Sequence, residues 1–269
     1  MALTIGSAPF GSAPSGSFNF DPHPPEHVLY AEPSPRRVRV RLGSQTIADS
    51  TAAQLLHQSG QTPSYLFPRE DVRTELFTRS DTTTSTPALG TATWWTVQAG
   101  DRRAEDGACS YEQPPPSAGH LAGLVAFVWD AMDAWWEEDE EVFAHPRDPY
   151  HRIDVLRSSR HVVVRWGGTV VADSVRPRML LESGLPPRWY LPAEDVRTDL
   201  LAPSYTTTQC PYKGVAQYRT LQDGDRYDSD VVWSYPDPMH DAEAVGGLFC
   251  FDDQRVDVDV DLDADGGPR

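Results

Sequence analysis

The residues with the clearest chemical potential lie in one short segment, Cys-Pro-Tyr-Lys-Gly at positions 210–214. An ammonium group three residues from a thiol can favour the thiolate, which is the stronger nucleophile. A partly buried lysine can in turn lose its proton and act as a base or form a Schiff base. We therefore take Lys213 and Cys210 as candidate catalytic residues. The structural alternative makes Cys210 a small core residue and Lys213 a solvated strand residue.

An internal duplication helps to separate function from architecture. Shifted by 124 positions, residues 37–114 align with residues 161–238 without a gap and are identical at 34 of 78 positions. A repeat of this length predicts two like-folded domains. At the positions of Cys210 and Lys213, the first repeat has a threonine and a leucine. Because a residue that the fold requires is expected in both copies, this difference favours a catalytic or binding role in the second repeat.

Glu182 is the third candidate catalytic residue, since the first repeat has Gln58 in its place. A carboxylate present in only one copy can pair with Lys213 or serve as a general base. The alternative is an exposed strand glutamate. Aromatic residues of the second repeat could form the wall of a pocket, with core packing as the alternative. The candidate binding residues of this kind are Tyr190, Tyr212, Tyr218, Trp233 and Tyr235.

Charged residues outside this group also have two interpretations. Arg197 could hold a carboxylate or phosphate of a ligand by a bidentate contact, but the presence of Arg73 in the first repeat favours a structural ion pair or cap. The segment between the repeats is unusually ionic for a spacer. A ligand pocket at the domain junction would draw binding residues from this segment, and the candidates are His145, Arg147 and His151.

Two other roles for the ionic segment remain open. One is an ion-pair lattice between its arginines and the acidic run at 137–141. The other is a metal site built from its two histidines, which are six residues apart, and its two aspartates, which are also six residues apart. That spacing matches no known metal motif, and an extended linker would hold the ligands poorly. We therefore predict no metal and no cofactor.

Local sequence patterns predict an all-β fold with little helix, built as two tandem homologous small β-sheet domains. Gly167-Gly168 between two β-branched runs predicts a hairpin, and valines alternate with aspartates over 256–262 as in a half-buried strand. The one helix expected covers residues 118–124. The predicted organisation is a flexible N-terminal tail (1–35), a first repeat with a degenerate motif (36–142), an ionic linker (143–160), a second repeat with the CPYKG motif (161–262) and a tail (263–269).

Composition limits the compartment and the partners. The net charge of −17 argues against a nucleic-acid backbone or an anionic membrane as partner. Three cysteines without close pairs argue against a disulfide framework and a four-cysteine zinc site, and fit a reducing cytoplasm. The N-terminus lacks the basic flank and apolar core of a secretory signal. No run of residues approaches the length of a membrane span.

The tandem pattern ADS…P.EDVRT.L…CPYKG.A.Y…WSYP, with EEDEEVFAHPRDPYHRIDVLRSSRHV between the copies, resembles the bacterial and fungal domain-of-unknown-function-427 family over about residues 30–262. The resemblance implies small, tent-like β-sheet domains. It implies no zinc, because the cysteine pairs of zinc-binding tent folds are missing. Some classifications label the family nucleotidyltransferase-like. That activity requires paired carboxylates for Mg²⁺ beside a glycine-serine motif, and the sequence contains no such arrangement.

These observations favour a cytoplasmic enzyme that acts on a small polar metabolite in a pocket of the second repeat. The chemistry would be acid–base, Schiff-base or hydrolytic. The alternatives are a non-catalytic module that binds a small molecule in the same pocket, and a structural or partner-binding protein. The enzyme and the binder both require Lys213 and Cys210 to face one concave pocket, with Glu182 or Arg197 within reach. The predicted assembly is a monomer or a homodimer.

Overall fold

The computed structural model describes residues 2–20 and 27–261. The chain forms two compact units, Met1–Asp148 and Pro149–Arg269. Antiparallel strands joined by short 3₁₀ helices make up both units. The predicted all-β fold with two tandem repeats is therefore confirmed. In the part of the chain that the structure describes, no helix has both the length and the apolar composition that a membrane crossing requires.

The part of the first unit that the structure describes forms two sheets. Its strands are β1 (Leu29–Pro33), β2 (Val38–Leu42), β3 (Gln45–Ser50), β4 (Gln54–Gln58), β5 (Ser64–Pro68), β6 (Phe77–Thr86), β7 (Gly90–Ala99), β8 (Arg102–Ser110), β9 (Leu124–Phe127), β10 (Ala134–Glu137) and β11 (Glu140–Val142). One sheet has the order β1-β4-β5-β9-β8-β7-β6 and the other β11-β10-β2-β3. The 3₁₀ helices are Ala2–Thr4, Arg69–Asp71, Thr74–Leu76, Pro116–Leu121 and Trp129–Ala131.

Two apolar clusters stabilise the first unit. Alternate residues of β2 point into the larger cluster, where they pack with Phe67 and Trp135, as the period of two in a half-buried strand requires. The smaller cluster is built around Leu56, Leu66 and Leu89. This smaller cluster lies at the counterpart of the candidate site in the second unit.

The described residues of the second unit, up to position 261, form three small antiparallel sheets. Its strands are β12 (Ile153–Arg157), β13 (His161–Trp166), β14 (Thr169–Ser174), β15 (Arg178–Glu182), β16 (Arg188–Tyr190), β17 (Leu201–Cys210), β18 (Gly214–Asp223), β19 (Arg226–Ser234), β20 (Cys250–Phe251) and β21 (Asp257–Asp261). The sheet orders are β12-β15-β16, β14-β13-β21 and β17-β18-β19-β20. The 3₁₀ helices are Ala193–Asp195, Thr198–Leu200 and His240–Val245.

The two units share local devices at the spacing of the duplication. Ser50 donates a hydrogen bond to Asp71 at 2.6 Å in the first unit, and Ser174 donates one to Asp195 at 2.7 Å in the second. Each bond ties the end of a strand to the 3₁₀ turn that contains the aspartate. The residues of the EDVRT segments that both copies share therefore serve the architecture.

Two strands occupy segments that the sequence predicted to be irregular. β1 falls in the predicted tail and β12 in the predicted linker, and they pair with β4 and β15 in equivalent registers. Leu29 and Ala31 pack against the smaller cluster of the first unit, while Ile153 and Val155 pack against a cluster of the second. Only two inward-facing apolar side chains contribute in each strand, which is too few to give a recognisable alternation in the sequence.

The ends of other predicted elements also differ from the sequence expectation. The helix expected over 118–124 is the 3₁₀ helix Pro116–Leu121, and β9 begins at Leu124. The predicted strand of alternating valines and aspartates is present as β21. Position 262 and the predicted tail, 263–269, lie outside the described residues.

Candidate functional site

Lys213 lies in the turn that joins β17 to β18. Gly214 closes this turn with a φ of 96°, a backbone conformation that favours glycine. The backbone N–H of Met239 donates to the carbonyl of Lys213 at 3.1 Å and fixes the turn from the other side. The Lys213 side chain is only 12% exposed, and its Nζ donates a hydrogen bond to Oε2 of Glu182. The turn therefore directs the ammonium group into the unit.

Glu182 ends β15 and connects two donors. Its second oxygen, Oε1, lies 3.0 Å from Nε2 of His151. Both side chains are largely buried, with 8% of Glu182 and 13% of His151 exposed. The His151 ring stacks on Tyr212 with 4.0 Å between ring centroids, which holds the imidazole in place. The three polar groups thus form one chain, His151–Glu182–Lys213, that satisfies both oxygens of a buried carboxylate.

The environment of Glu182 keeps its carboxyl group ionised. Burial is the largest influence and raises its pKa, but the hydrogen bond with His151 and the interactions with Lys213 together outweigh burial. The net effect is a pKa below the usual range of a glutamate. An ionised Glu182 cannot donate a proton, and it holds negative charge beside Nζ of Lys213.

This lowered pKa predicts a pH dependence of stability. A carboxyl group with a depressed folded-state pKa contributes stability that is fully present above its unfolded pKa of about 4.3 and is lost as the pH falls through the folded pKa. We expect the difference in free energy of unfolding between the wild type and Glu182→Gln to be constant near neutral pH and to shrink below about pH 4. Urea titrations at several pH values measure it. A difference that grows on acidification would contradict the lowered pKa.

Glu182 and Lys213 line a cavity of about 210 Å³ within the second unit. Its wall combines aromatic rings, three phenol groups and a second cation: Arg188, Tyr190, Tyr218, Trp233 and Tyr235. Small apolar side chains complete the lining. A concave apolar site with a few convergent polar groups is the usual form of a small-molecule pocket. The volume suits a ligand of only a few non-hydrogen atoms.

The buried tyrosines supply hydrogen-bond donors to this cavity. Tyr190 is 1% exposed and Tyr235 is 5% exposed. Burial raises the pKa of both phenols, and neighbouring acidic groups, among them Glu182, raise them further. Both therefore stay protonated at neutral pH. The Tyr190 hydroxyl accepts a hydrogen bond from Nε1 of Trp233 at 3.2 Å, so its own proton remains available to another acceptor.

The first unit has leucines at several positions equivalent to this site. Leu89 occupies the place of Lys213, and Leu66 that of Tyr190. Both are buried in the smaller cluster of that unit, at 7% and 2% exposure. Other equivalent positions keep polar residues, with Gln58 for Glu182, Ser64 for Arg188 and Tyr111 for Tyr235. The architecture therefore does not require the Glu182–Lys213 ion pair, because Gln58 and Leu89 take the places of its two partners.

Not every candidate residue lines this cavity. Cys210 is partly buried at the end of β17, opposite Gly214 in the hairpin, and does not line the cavity. Its position is close enough to Tyr235 to contribute to the raised pKa of that phenol. Arg197 is about half exposed and forms an ion pair with Asp199 at 2.6 Å, away from the cavity. The sequence predicts that Lys213 and Cys210 face one pocket, with Glu182 or Arg197 within reach. Lys213 and Glu182 meet this requirement, whereas the prediction for Cys210 is wrong because that residue does not line the cavity.

The three candidates of the ionic segment separate between the two units. His151 belongs to the second unit and contacts Glu182, whereas His145 and Arg147 belong to the first. Nδ1 of His145 lies 2.7 Å from the carbonyl oxygen of Pro146. Arg147 lines a shallow cavity with Arg36 and the acidic run.

Partners of the acidic run come mainly from the start of the first repeat. Arg36 pairs with Glu137 at 3.1 Å, and Arg39 pairs with Asp139 at 3.0 Å. Two arginines of the ionic segment that lie in the second unit, Arg152 and Arg160, have other contacts. Arg152 pairs with Asp154 at 2.9 Å, for example. Among the described residues, no group of three or more histidine, cysteine, aspartate or glutamate side chains could hold a metal ion.

Two features of the site are not among the residues predicted from the sequence. Arg188 lies over the Trp233 ring at 5.8 Å and pairs with Asp253 at 2.5 Å. It was detectable as a cation that the first repeat lacks, since its counterpart is Ser64. The second feature is that Lys213 is the only lysine in the chain. All other residues counted as lysine or arginine are arginines, and the one lysine lies in the CPYKG turn.

Comparison with known families agrees with the duplicated architecture. The family model described as Domain of unknown function (DUF427) matches residues 30–138 and again residues 154–262. The chain belongs to this family. It is a tandem DUF427 protein, and each match covers one repeat with its first strand, β1 or β12. No curated protein matches the chain significantly.

Proposed function

We propose that the second DUF427 repeat is an enzyme that acts on a small polar metabolite by acid–base catalysis. The observation that carries the proposal is the buried chain His151–Glu182–Lys213, which opens into a cavity with aromatic walls. The first repeat has Gln58 and Leu89 in place of Glu182 and Lys213. Burying two charges costs free energy that their mutual attraction need not recover, and the fold of the first repeat does without this ion pair.

In this proposal Lys213 is the residue that contacts the substrate. Its ammonium group lies at the cavity wall and can donate a hydrogen bond or a proton to a carbonyl or carboxylate oxygen. The Tyr190 and Tyr235 phenols, held in their protonated form by burial, can stabilise the negative charge that develops on that oxygen. Arg188 adds a fixed positive charge to the same wall. The substrate class is therefore a small carbonyl or carboxylate compound.

Glu182 and His151 have positioning roles in this proposal. Glu182 fixes Nζ of Lys213 and, because it is ionised, compensates the charge of the ammonium group. His151 holds the other carboxylate oxygen and can accept or donate a proton through its second ring nitrogen. Schiff-base and hydrolytic reactions remain alternatives at the same lysine. Cys210 lies outside the cavity lining, so this proposal gives it no contact with the substrate.

A non-catalytic binding module is the second candidate. Both oxygens of Glu182 already have donors, and a saturated ion pair of this kind can recognise a ligand without transferring a proton. A structural or partner-binding protein is the third possibility. In each case we propose a cytoplasmic location, in keeping with three free thiols, and a monomer or homodimer.

The single lysine makes a direct test possible. We expect a lysine-selective acylating reagent to modify Lys213 alone among the side chains, and expect a bound small carbonyl or carboxylate compound to slow that modification at least tenfold. Intact-protein and peptide mass spectrometry measure both. Compounds from a metabolite panel that protect Lys213 are then assayed for turnover.

Variants separate the enzyme from the binder. Lys213→Met should lower kcat/KM by roughly 100-fold or more, the usual contribution of a positioned acid or base. Arg103→Gln, a change of an exposed arginine in the first unit, should leave kcat/KM unchanged. A panel compound that protects Lys213 without being converted would favour the binder. Turnover that survives in Lys213→Met would remove Lys213 from the mechanism.

A further inference from the structure

Two arginines face each other across a strand pair at the other end of β15. In the β12–β15 ladder, Arg157 is directly opposite Arg178. Side chains in such a pair have Cβ atoms about 5 Å apart, and like charges at this distance destabilise a sheet. Neither guanidinium forms an ion pair or a hydrogen bond with another residue in the described part of the chain. The repulsion is therefore uncompensated in the protein alone.

These arginines line a cavity that is distinct from the Glu182–Lys213 cavity. It has a volume of about 710 Å³, is open to solvent and includes Arg176, Ser158 and Ser159. Arg176 forms an ion pair with Asp195 at 3.0 Å, so its charge is partly used within the protein. Two unpaired guanidinium groups and two hydroxyl groups thus surround one concave surface. We refer to it as the arginine cavity.

The fold does not require the arginines of this cavity. The backbone is the same in both repeats, because Ser158 N–H donates to the Pro177 carbonyl at 3.1 Å just as Ser34 N–H donates to the Ala53 carbonyl at 2.8 Å. The first repeat nevertheless has no charge at the equivalent positions. Pro33 replaces Arg157, Gln54 replaces Arg178 and Ala52 replaces Arg176. As at Lys213, the second repeat has added cationic groups to a shared backbone.

We propose that the arginine cavity binds a phosphate group of a small molecule. A dianion between Arg157 and Arg178 would convert their repulsion into two charge-assisted interactions, and guanidinium groups match the geometry of phosphate oxygens. The hydroxyls of Ser158 and Ser159 can donate to the remaining oxygens. Because the whole chain carries a net charge of −17, only a local concentration of cations can hold an anion at its surface. Free phosphate and a phosphate monoester both meet this description.

Titration of the full-length protein tests the proposal. The probes are inorganic phosphate, glycerol 3-phosphate and malonate, at constant ionic strength set with chloride and with calorimetry as the readout. We expect phosphate binding to the wild type and a loss of affinity of about tenfold or more in Arg157→Gln and in Arg178→Gln, as removal of a charge-assisted contact predicts. Arg152→Gln is the matched control, because Arg152 is exposed and paired with Asp154. It should bind phosphate like the wild type.

The outcomes are distinct. Tighter binding of glycerol 3-phosphate than of inorganic phosphate would identify an ester as the ligand, and the reverse would identify the free ion. Either result supports phosphate binding in the arginine cavity. Tighter binding of malonate, no binding of either phosphate probe, or an equal loss in Arg152→Gln would overturn the proposal. Folding is checked by the free energy of unfolding without phosphate, which should not fall in Arg178→Gln because a like-charge contact is removed.

Discussion

Replacing Glu182 by glutamine is expected to lower the free energy of unfolding by roughly 3 kcal/mol, the usual effect of removing one partner from a buried ion pair. The substitution keeps the shape of the side chain and leaves the Lys213 ammonium, only 12% exposed, without its carboxylate. It also introduces the residue that the first repeat has at this position, Gln58. Urea unfolding gives the size of the effect, and hydrogen exchange in β15 and the β17–β18 hairpin locates it.

The double variant Glu182→Gln/Lys213→Leu should recover most of that loss. It removes the unpaired charge and reproduces the combination of the first repeat, where Leu89 packs with other leucines. A double-mutant cycle gives the coupling between the two side chains, which we expect to be about 2 kcal/mol, within the range for residues in direct contact. Losses that simply add, with no recovery in the double variant, would show that the ion pair does not contribute as a unit.

The duplication made Lys213, Glu182 and the aromatic wall accessible from the sequence. A difference between two copies of one fold separates residues that the fold needs from residues that it merely accommodates. The comparison worked for Lys213 because Leu89 is a fully apolar replacement at the same place. It worked less well for Cys210, whose replacement by threonine marks a partly exposed position at the end of a hairpin. A difference between the copies indicates that the fold does not require the residue. It does not indicate where the side chain points.

His151 illustrates what periodicity and composition miss. Its neighbours are prolines and charged residues, so the segment is predicted to be a linker, and the strand that follows it, β12, has only two inward apolar side chains. The pairing of β12 with β15 brings Glu182 beside the start of β12, and hence beside His151. That contact joins positions 31 residues apart through a strand register, which local sequence patterns do not encode. The same register places Arg157 opposite Arg178.

Introducing a lysine into the first repeat is expected to have an effect of similar size to that of Glu182→Gln. Leu89→Lys places an ammonium group among Leu56, Leu66 and Leu121, where Gln58 offers no negative charge. Loss of the leucine packing and burial of an unpaired charge together should lower the free energy of unfolding by about 3 kcal/mol or more. Hydrogen exchange should increase in β4, β5 and the β6–β7 hairpin of the first unit.

Two further variants identify the cause of that loss. Adding Gln58→Glu to Leu89→Lys supplies the carboxylate that the second repeat uses, and we expect it to restore about 1–2 kcal/mol, as a new charge pair at a partly desolvated site would. Thr91→Lys, at an exposed position two residues along the same hairpin, should change the free energy of unfolding by less than about 0.5 kcal/mol. If Leu89→Lys were as mild as Thr91→Lys, the leucine cluster would have room for a solvated cation. The His151–Glu182–Lys213 chain of the second repeat would then be an ordinary packing difference between the repeats and would not support a function.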